Sequence, residues 1–244
     1  MKETAWFESW FDSPYYHLLY KDRDNSEAQN FLDLLLERIH LKSGSPVLDL
    51  ACGKGRHSLH LFQNGYDVTG IDLSEENIRY CHRFENERLH FYRHDMRRIL
   101  RLNYFDAVFN LFTSFGYFDR DHENELVVQA ASSSLHPGGY FIIDFLNAHY
   151  TLQHLCAEQE KNIEGITFHL HRKTEGDHLI KEIRFHAEGR DFRFREKVKL
   201  LFPEDFMRYF AKSGLTVLET YGNYQLQDFN AESSQRLIFV TRKL

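Results

Sequence analysis

Val47-Leu48-Asp49-Leu50-Ala51-Cys52-Gly53-Lys54-Gly55-Arg56 is the stretch that decides how this chain folds. A short apolar run ends in glycines just before a segment of helical pattern. Such a turn lets backbone approach a ligand closely and aims amide N–H groups at it. A dinucleotide-binding turn would carry a third Gly or Ala three residues after the second glycine, and Ser58 stands there instead. Asp49 precedes the turn, where its charge would repel a pyrophosphate. A carboxylate at that place suits an ammonium or a sulfonium, so charge disfavours NAD.

Working outward, strands and helices alternate. Phe31, Leu32, Leu35, Leu36 and Ile39 repeat at helical spacing ahead of the Ser43-Gly44-Ser45-Pro46 break. Arg56 to Phe62 reads as helix and Tyr66 to Ile71 as a second strand, and Ser74 is the expected N-cap of the next helix. Leu89 to His94 and Phe105 to Phe112 read as the third and fourth strands. Glu123 to Leu135 reads as helix, and Tyr140 to Phe145 as the fifth strand after the His136-Pro137-Gly138-Gly139 turn. This rhythm implies βαβ units and a mostly parallel, doubly wound sheet. After Asn147 the period becomes two: Ile166-Phe168-Leu170, Ile180 to Phe185 and Phe192-Phe194 alternate with polar residues. Turns at Glu175-Gly176-Asp177 and Glu188-Gly189-Arg190 make this an inserted antiparallel meander. Pro203 to Ala211 reads as a helix, and Leu215 to Tyr221 and Leu237 to Thr241 as closing strands.

Composition narrows the function. The 244 residues carry a net charge of −6, a poor match for a nucleic-acid backbone. Cys52, Cys81 and Cys156 form no C-x-x-C pair, which argues against a disulfide framework and a zinc ribbon. His57/His60, His90/His94 and His169/His171 lack the carboxylate and cysteine partners that would complete a site, so no metal is expected. The longest uncharged stretch, Leu126 to Ile143, contains Pro137, Gly138 and Gly139 and does not read as a membrane span. The expectation is a soluble, cytoplasmic protein.

Further residues extend the glycine turn. The second strand ends in Gly70-Ile71-Asp72-Leu73-Ser74, an acidic residue placed for ribose hydroxyls. The third ends in His94-Asp95-Met96; Asp95 suits an adenine amino group with Met96 on the ring, and a plain strand-end turn fits equally well. In this order and spacing, D-L-A-C-G-K-G, G-I-D-L-S and D-M resemble the class I S-adenosylmethionine-dependent methyltransferases, from about Pro46 to Asn147. The stretch from Tyr15-Tyr16-His17 to Arg23, and Asn110 to Tyr117, look like a bacterial small-molecule subgroup. The resemblance implies a Rossmann-like seven-stranded sheet, six strands parallel and the last antiparallel, with S-adenosylmethionine across the strand ends. It places Ala51, Gly53 and Gly55 beside the methionine part, Asp49 near its ammonium, Asp72 and Leu73 at the ribose, Asp95 and Met96 at the adenine, and Asn110 at the end of the fourth strand. The divisions expected are an N-terminal helical lid segment (1–42), the cofactor-binding core (43–150), the β insertion (151–201) and the closing helix and strands (202–244).

The reacting partner belongs beyond the strand ends, near Asn110 to Tyr117 and Asp144 to Asn147. Tyr16, Tyr117 and Asn147 are the candidate substrate contacts, with packing or turn-forming roles as the plain alternative for each. His17 and His94 stand where a base would, and no catalytic residue is assigned. Asn110-Leu111-Phe112-Thr113 replaces the N/D-P-P-Y segment of enzymes that methylate amino groups of DNA bases. From Ile166 to Lys199 there are nine Lys or Arg against six Asp or Glu, so the meander offers Arg184, Arg193 or Arg195 to an anionic substrate, or else pairs two subunits. The expected function is methyl transfer to a small molecule. RNA or protein methylation, non-catalytic cofactor binding and nicotinamide chemistry are the alternatives.

Overall fold

The computed structural model describes residues 10–21 and 25–244. Arg23, at the end of the N-terminal stretch named above, lies outside the described residues. In chain order the elements are α1 (Pro14–Leu19), α2 (Asn25–Ile39), β1 (Pro46–Leu50), α3 (Arg56–Gln63), β2 (Asp67–Asp72), α4 (Glu75–Cys81), β3 (Leu89–Arg93), β4 (Phe105–Asn110), α5 (Asp121–Ser134) and β5 (Leu135–Leu146). There follow α6 (Ala148–Gln153), β6 (Glu158–Ile163), β7 (Ile166–Glu175), β8 (His178–Ala187), β9 (Arg190–Lys199), α7 (Pro203–Lys212), β10 (Leu215–Tyr221) and β11 (Arg236–Lys243).

Seven strands form one sheet in the order β10-β11-β5-β4-β1-β2-β3. β1 pairs in parallel with β2 and β4, β2 with β3, and β4 with β5; β11 alone runs antiparallel to its neighbours β5 and β10. The expected α/β doubly wound, Rossmann-like sheet is therefore present. The strand order reverses between β1 and β4, which opens a crevice at the carboxyl ends of the strands. One face is covered by α2, α3 and α4, with Phe31, Leu35, Leu61 and Ile78 buried beneath them. The other is covered by α5 and α7, where Val127, Val128, Phe206 and Phe210 are buried. Each fully buried side chain of this size contributes about 1.5–3 kcal/mol.

The inserted sheet has four strands, β6-β7-β8-β9, all antiparallel. β6 was not expected. It is an edge strand whose residues Glu158 to Asn162 are exposed, so no apolar alternation betrays it. Phe168, Leu170, Ile183 and Phe185 on the inner face bury Trp10 and Leu19, which fixes α1 against this sheet. Arg184 and Arg193 share the opposite face and pair with Glu182, and Arg195 pairs with Glu175. The period-two register puts all three arginines away from the inner face, which corrects their expected role as anion contacts. The fourth strand also ends earlier than expected, at Asn110: Phe112 and Thr113 take left-handed backbone, φ 58° and 61°.

Among the described residues no helix is long and apolar enough to cross a membrane. Gly70, opposite Asp49 in the β1–β2 register, lets α3 sit close to the sheet. A Cβ there would lie 2.7 Å from the Phe91 ring and 2.9 Å from Ser58 Oγ. Gly70→Ala is expected to lower stability by about 1–3 kcal/mol, since neither neighbour has room to retreat, and thermal unfolding against wild type checks it.

Candidate functional site

Three linked cavities run along the carboxyl ends of the parallel strands. The smallest, about 70 Å³, lies beyond β2 and β3 and is lined by Ala51, Asp72, Leu73, His94, Asp95, Met96 and Phe118 among others. The second, about 360 Å³, lies over the β1 turn and touches Asp49, Ala51, Gly53, His17, Asn77 and Phe112. The third, about 370 Å³, lies between the end of β4 and the inserted sheet, and touches Glu27, Thr113, Tyr224, Arg236, Glu196 and Val198. Phe11 and Tyr117 line all three; Tyr16, Tyr20 and Ser114 line the second and third.

The β1 turn is built by backbone that most residues avoid. Ala51 has φ 59°, a conformation that costs of order 1–3 kcal/mol and persists where the surroundings enforce it. Gly55 (φ 76°) caps α3; a Cβ there would come 3.0 Å from the Phe91 ring. Gly55 therefore brings helix and sheet together and stands behind the cavity wall. The Gly53 amide donates to Asp72 Oδ2 at 2.9 Å and the Ser74 amide to Oδ1 at 2.8 Å, so Asp72 holds the turn as well as facing both smaller cavities. Ser74 caps α4 as expected, accepting from Asn77 N.

Asp49 is only 2% exposed and accepts from Ser58 Oγ at 2.6 Å. Burial, with Asp72 nearby as a second negative charge, pushes its pKa up to about 7 despite that hydrogen bond. Asp72 is likewise raised, chiefly by burial. Asp95 goes the other way: burial opposes ionisation, but the hydrogen bonds and charge of Arg97 outweigh it and hold the carboxyl below its ordinary range. His17 is lowered to about 4 by burial and by Lys54, so its imidazole is neutral at pH 7 and a weak proton acceptor. His94 lies at the far end, lining the smallest cavity, with Nε2 3.0 Å from Arg98 O.

The wall between the second and third cavities hangs on a buried ion pair. Asp144 is fully buried; its Oδ2 accepts from Phe112 N at 2.7 Å and its Oδ1 from Arg236 Nε at 2.8 Å. Arg236 also donates to Thr113 Oγ1 at 2.9 Å, and the Tyr117 hydroxyl to Thr113 O at 2.6 Å. These contacts enforce the left-handed Phe112–Thr113 pair and turn the Phe112 ring onto His57, stacked at 4.8 Å. Asn110 is fully buried and braces the same loop, donating to Leu50 O and Ser114 O, both at 3.2 Å. Asn147 is no substrate contact in this arrangement. It is fully buried, caps α6 through its oxygen, and ties the β10–β11 connection through Nδ2 to Ala231 O and Ser234 O.

Sequence reasoning missed the far wall of the third cavity. Tyr224 and Arg236 come from more than a hundred residues beyond the β4 loop, and no local pattern marks them. Glu196 did leave a signal: the Phe192–Phe194 period continued by two puts it on the inner face of β9, with Val198 next. There Trp10 Nε1 donates to it at 2.7 Å and the Tyr20 hydroxyl at 2.6 Å. On the other side of the trough, Ser74 Oγ donates to Asp12. Residues 10–21 therefore bridge the inserted sheet and the β2 end across all three cavities.

The site is thus a line of cavities along the carboxyl ends of a doubly wound sheet, with acidic residues at the ends of β1 and β2. Residues 41–187 match the family described as a methyltransferase domain, and the chain belongs to that family. It is similar to a dTDP-3-amino-3,4,6-trideoxy-alpha-D-glucopyranose N,N-dimethyltransferase of Streptomyces venezuelae, 32% identical over 53% of this chain and 54% of that protein. A glycine N-methyltransferase of Rattus norvegicus is 29% identical over 59% of this chain and 55% of that one. The chain thus spans about half the length of these curated relatives. An S-adenosylmethionine-dependent methyltransferase structure from Clostridium acetobutylicum ATCC 824 shares the fold, with a TM-score of 0.79 at 20% identity over 94% of this chain and 96% of that one.

The raised Asp49 has a consequence for stability. The unfolded chain releases this proton near 3.8, the folded chain near 7, so between those values the folded state holds more protons and stability falls as pH rises. The full effect is on the order of 4 kcal/mol above the folded pKa, as a shift of about three units implies. Asp49→Asn is expected to melt at a higher temperature than wild type at pH 8, with the gap closing toward pH 4.

Proposed function

We propose that this chain is an S-adenosylmethionine-dependent methyltransferase acting on a small molecule. The observation that carries the reading is the line of three cavities, with the Asp49 and Asp72 carboxyls at the β1 turn and a second cavity of comparable size, about 370 Å³, beyond the β4 loop. S-adenosylmethionine supplies a methyl on a positively charged sulfur. In this reading Asp49, Ala51 and Gly53 hold the methionine part, and the fit is chemical: a carboxyl kept protonated by burial gains a cationic partner, the ammonium. Asp72, with Leu73, takes the ribose hydroxyls, and Asp95 with Met96 receives the adenine. Gly55 and Asn110 act from behind the wall, one by tightening the turn and the other by bracing the β4 loop.

Methyl transfer asks little of the protein beyond holding nucleophile and methyl in line and keeping water away. Tyr16, Tyr20, Phe112, Ser114 and Tyr117, which line both larger cavities, stand where the methyl would pass. Residues 10–21 and the inserted sheet serve as the cover. The two curated relatives are named as N-methyltransferases, and that supports an amine as the acceptor. The inserted sheet offers little to RNA, because Arg184, Arg193 and Arg195 are each answered by a glutamate.

Calorimetry with S-adenosylhomocysteine tests the cofactor half. Asp72→Ala is expected to weaken binding by about 10–100-fold, the worth of charge-assisted hydrogen bonds to two hydroxyls; unchanged affinity removes the ribose assignment. In wild type the affinity is expected to rise with pH through about 7 as Asp49 ionises, and to lose that slope in Asp49→Asn. Transfer of labelled methyl into a cell extract, separated into small-molecule, RNA and protein fractions, tests the other half. Label confined to RNA or protein overturns the small acceptor.

A further inference from the structure

Cys52 stands just past β1 in the glycine turn, and Cys81 is the last residue of α4. The fold brings the two sulfurs onto one acceptor: Cys52 Sγ donates to Gly53 O at 3.7 Å and Cys81 Sγ to the same oxygen at 3.4 Å. Each thiol is also within hydrogen-bond reach of the other. Cys52 is 6% exposed and lines the cavity over the β1 turn, whereas Cys81 is fully buried behind it. The backbone at Cys52 presents Gly53 to that cavity. The Cys52 amide donates to Ile71 O and the Gly53 amide to Asp72 Oδ2, both at 2.9 Å. Cys81 has little room on its far side, since a Cβ on Gly55 would lie 3.1 Å from its sulfur. A bond between the sulfurs therefore acts directly on the segment that holds Gly53 against Asp72.

We propose that Cys52 and Cys81 form a reversible disulfide, with hydrogen peroxide as the oxidant, which disables the β1 turn while its cavity is empty. This rests on the methyltransferase reading only for its consequence, the loss of cofactor. The Cys52 sulfur attacks one peroxide oxygen, the O–O bond breaks and water leaves, giving a sulfenic acid. The Cys81 sulfur then attacks the Cys52 sulfur, the S–O bond breaks and a second water leaves. The two thiols have given up two electrons and two protons, and the peroxide has become two waters. A small dithiol reverses the bond by exchange. Only Cys52 is reachable, and only through the cavity, so a bound ligand shields it while Cys81 acts as the resolving thiol. Burial, the Cys81 thiol and the Asp49 and Asp72 carboxyls push the Cys52 thiol up, so little of it is thiolate at neutral pH. Lys54 is the charged group that faces Cys81. Oxidation is therefore slow at pH 7 and quickens as pH rises, a response to sustained oxidant and not to a brief pulse.

The test uses the full chain with Cys156→Ser, which removes the exposed thiol. Cofactor-free protein is treated with hydrogen peroxide at pH 8 and digested without reduction. Mass spectrometry is expected to find a peptide joining Cys52 to Cys81, and S-adenosylhomocysteine present during treatment is expected to suppress it. Calorimetry on the oxidised protein is expected to show affinity for S-adenosylhomocysteine weakened by about tenfold or more, the worth of one charge-assisted hydrogen bond at the turn. Dithiothreitol restores it. Cys52→Ala, treated alike, is expected to keep the affinity of its untreated form, and Cys81→Ala to stop at an oxidised Cys52 with no cross-link. Absence of the Cys52–Cys81 peptide, or a cross-link that leaves the affinity unchanged, overturns the proposal. So does a cross-link that forms as fast with S-adenosylhomocysteine bound as without it. The reduced protein separates the two readings: its failure to bind S-adenosylhomocysteine sinks the cofactor reading, whereas normal binding without a cross-link sinks only this one.

Discussion

The carboxylate of Asp144, buried at the end of β5, is the constraint on which the far half of the site depends. It accepts from the Phe112 amide and from Arg236, reaching across from β4 to β11. Burying two charges costs several kcal/mol per ion before their attraction is counted, so such a pair is poor value as a source of stability alone. What it supplies is position. Phe112 and Thr113 adopt left-handed backbone because the amide of one and the hydroxyl of the other are held by this pair. With those two residues turned, the chain from Ser114 to Tyr117 runs along the cavities.

The near half works by the opposite electrostatics. Asp49 and Asp72 sit close together with little solvent, and each is biased toward its neutral form. Ser58, Gly53 and Ser74 give them hydrogen bonds, and among the described residues no cation lies within ion-pair distance of either carboxylate. A protein of ordinary stability does not keep such a pair for its fold. The arrangement leaves two carboxyls at the β1 turn that are costly to ionise, which is the feature on which the proposed ammonium contact rests.

Much of this was legible in the residues, and the exceptions have physical causes. The parallel strands were legible because both their faces are buried, giving short apolar runs between glycine turns, although β5 starts at Leu135 and takes in the His136–Gly139 segment expected as a turn. β6 was missed because an edge strand exposed along its length has no apolar face to alternate. The fourth strand was read two residues too long because Leu111 and Phe112 are apolar, and apolarity does not distinguish a strand from a strained loop buried beside one. Asn147 was read by its place at a strand end. Its amide is instead drawn to two carbonyls, Ala231 and Ser234, more than eighty residues away. The three arginines were read by charge without following the alternation, although that same alternation carries Glu196 inward.

By itself the sequence determined the doubly wound sheet, the position of the glycine turn and the acidic residues at the ends of the first two strands. These follow from local chemistry: period, turn residues, and a carboxylate adjacent to a backbone that approaches a ligand. Only the tertiary structure decided what lines the third cavity. That cavity is assembled from α1, α2, α3, the β4 loop, β5, β8, β9 and β11, segments more than two hundred residues apart at the extremes. Which of their side chains converge depends on the register of the inserted sheet and on one buried ion pair, and neither is encoded in the spacing of neighbouring residues.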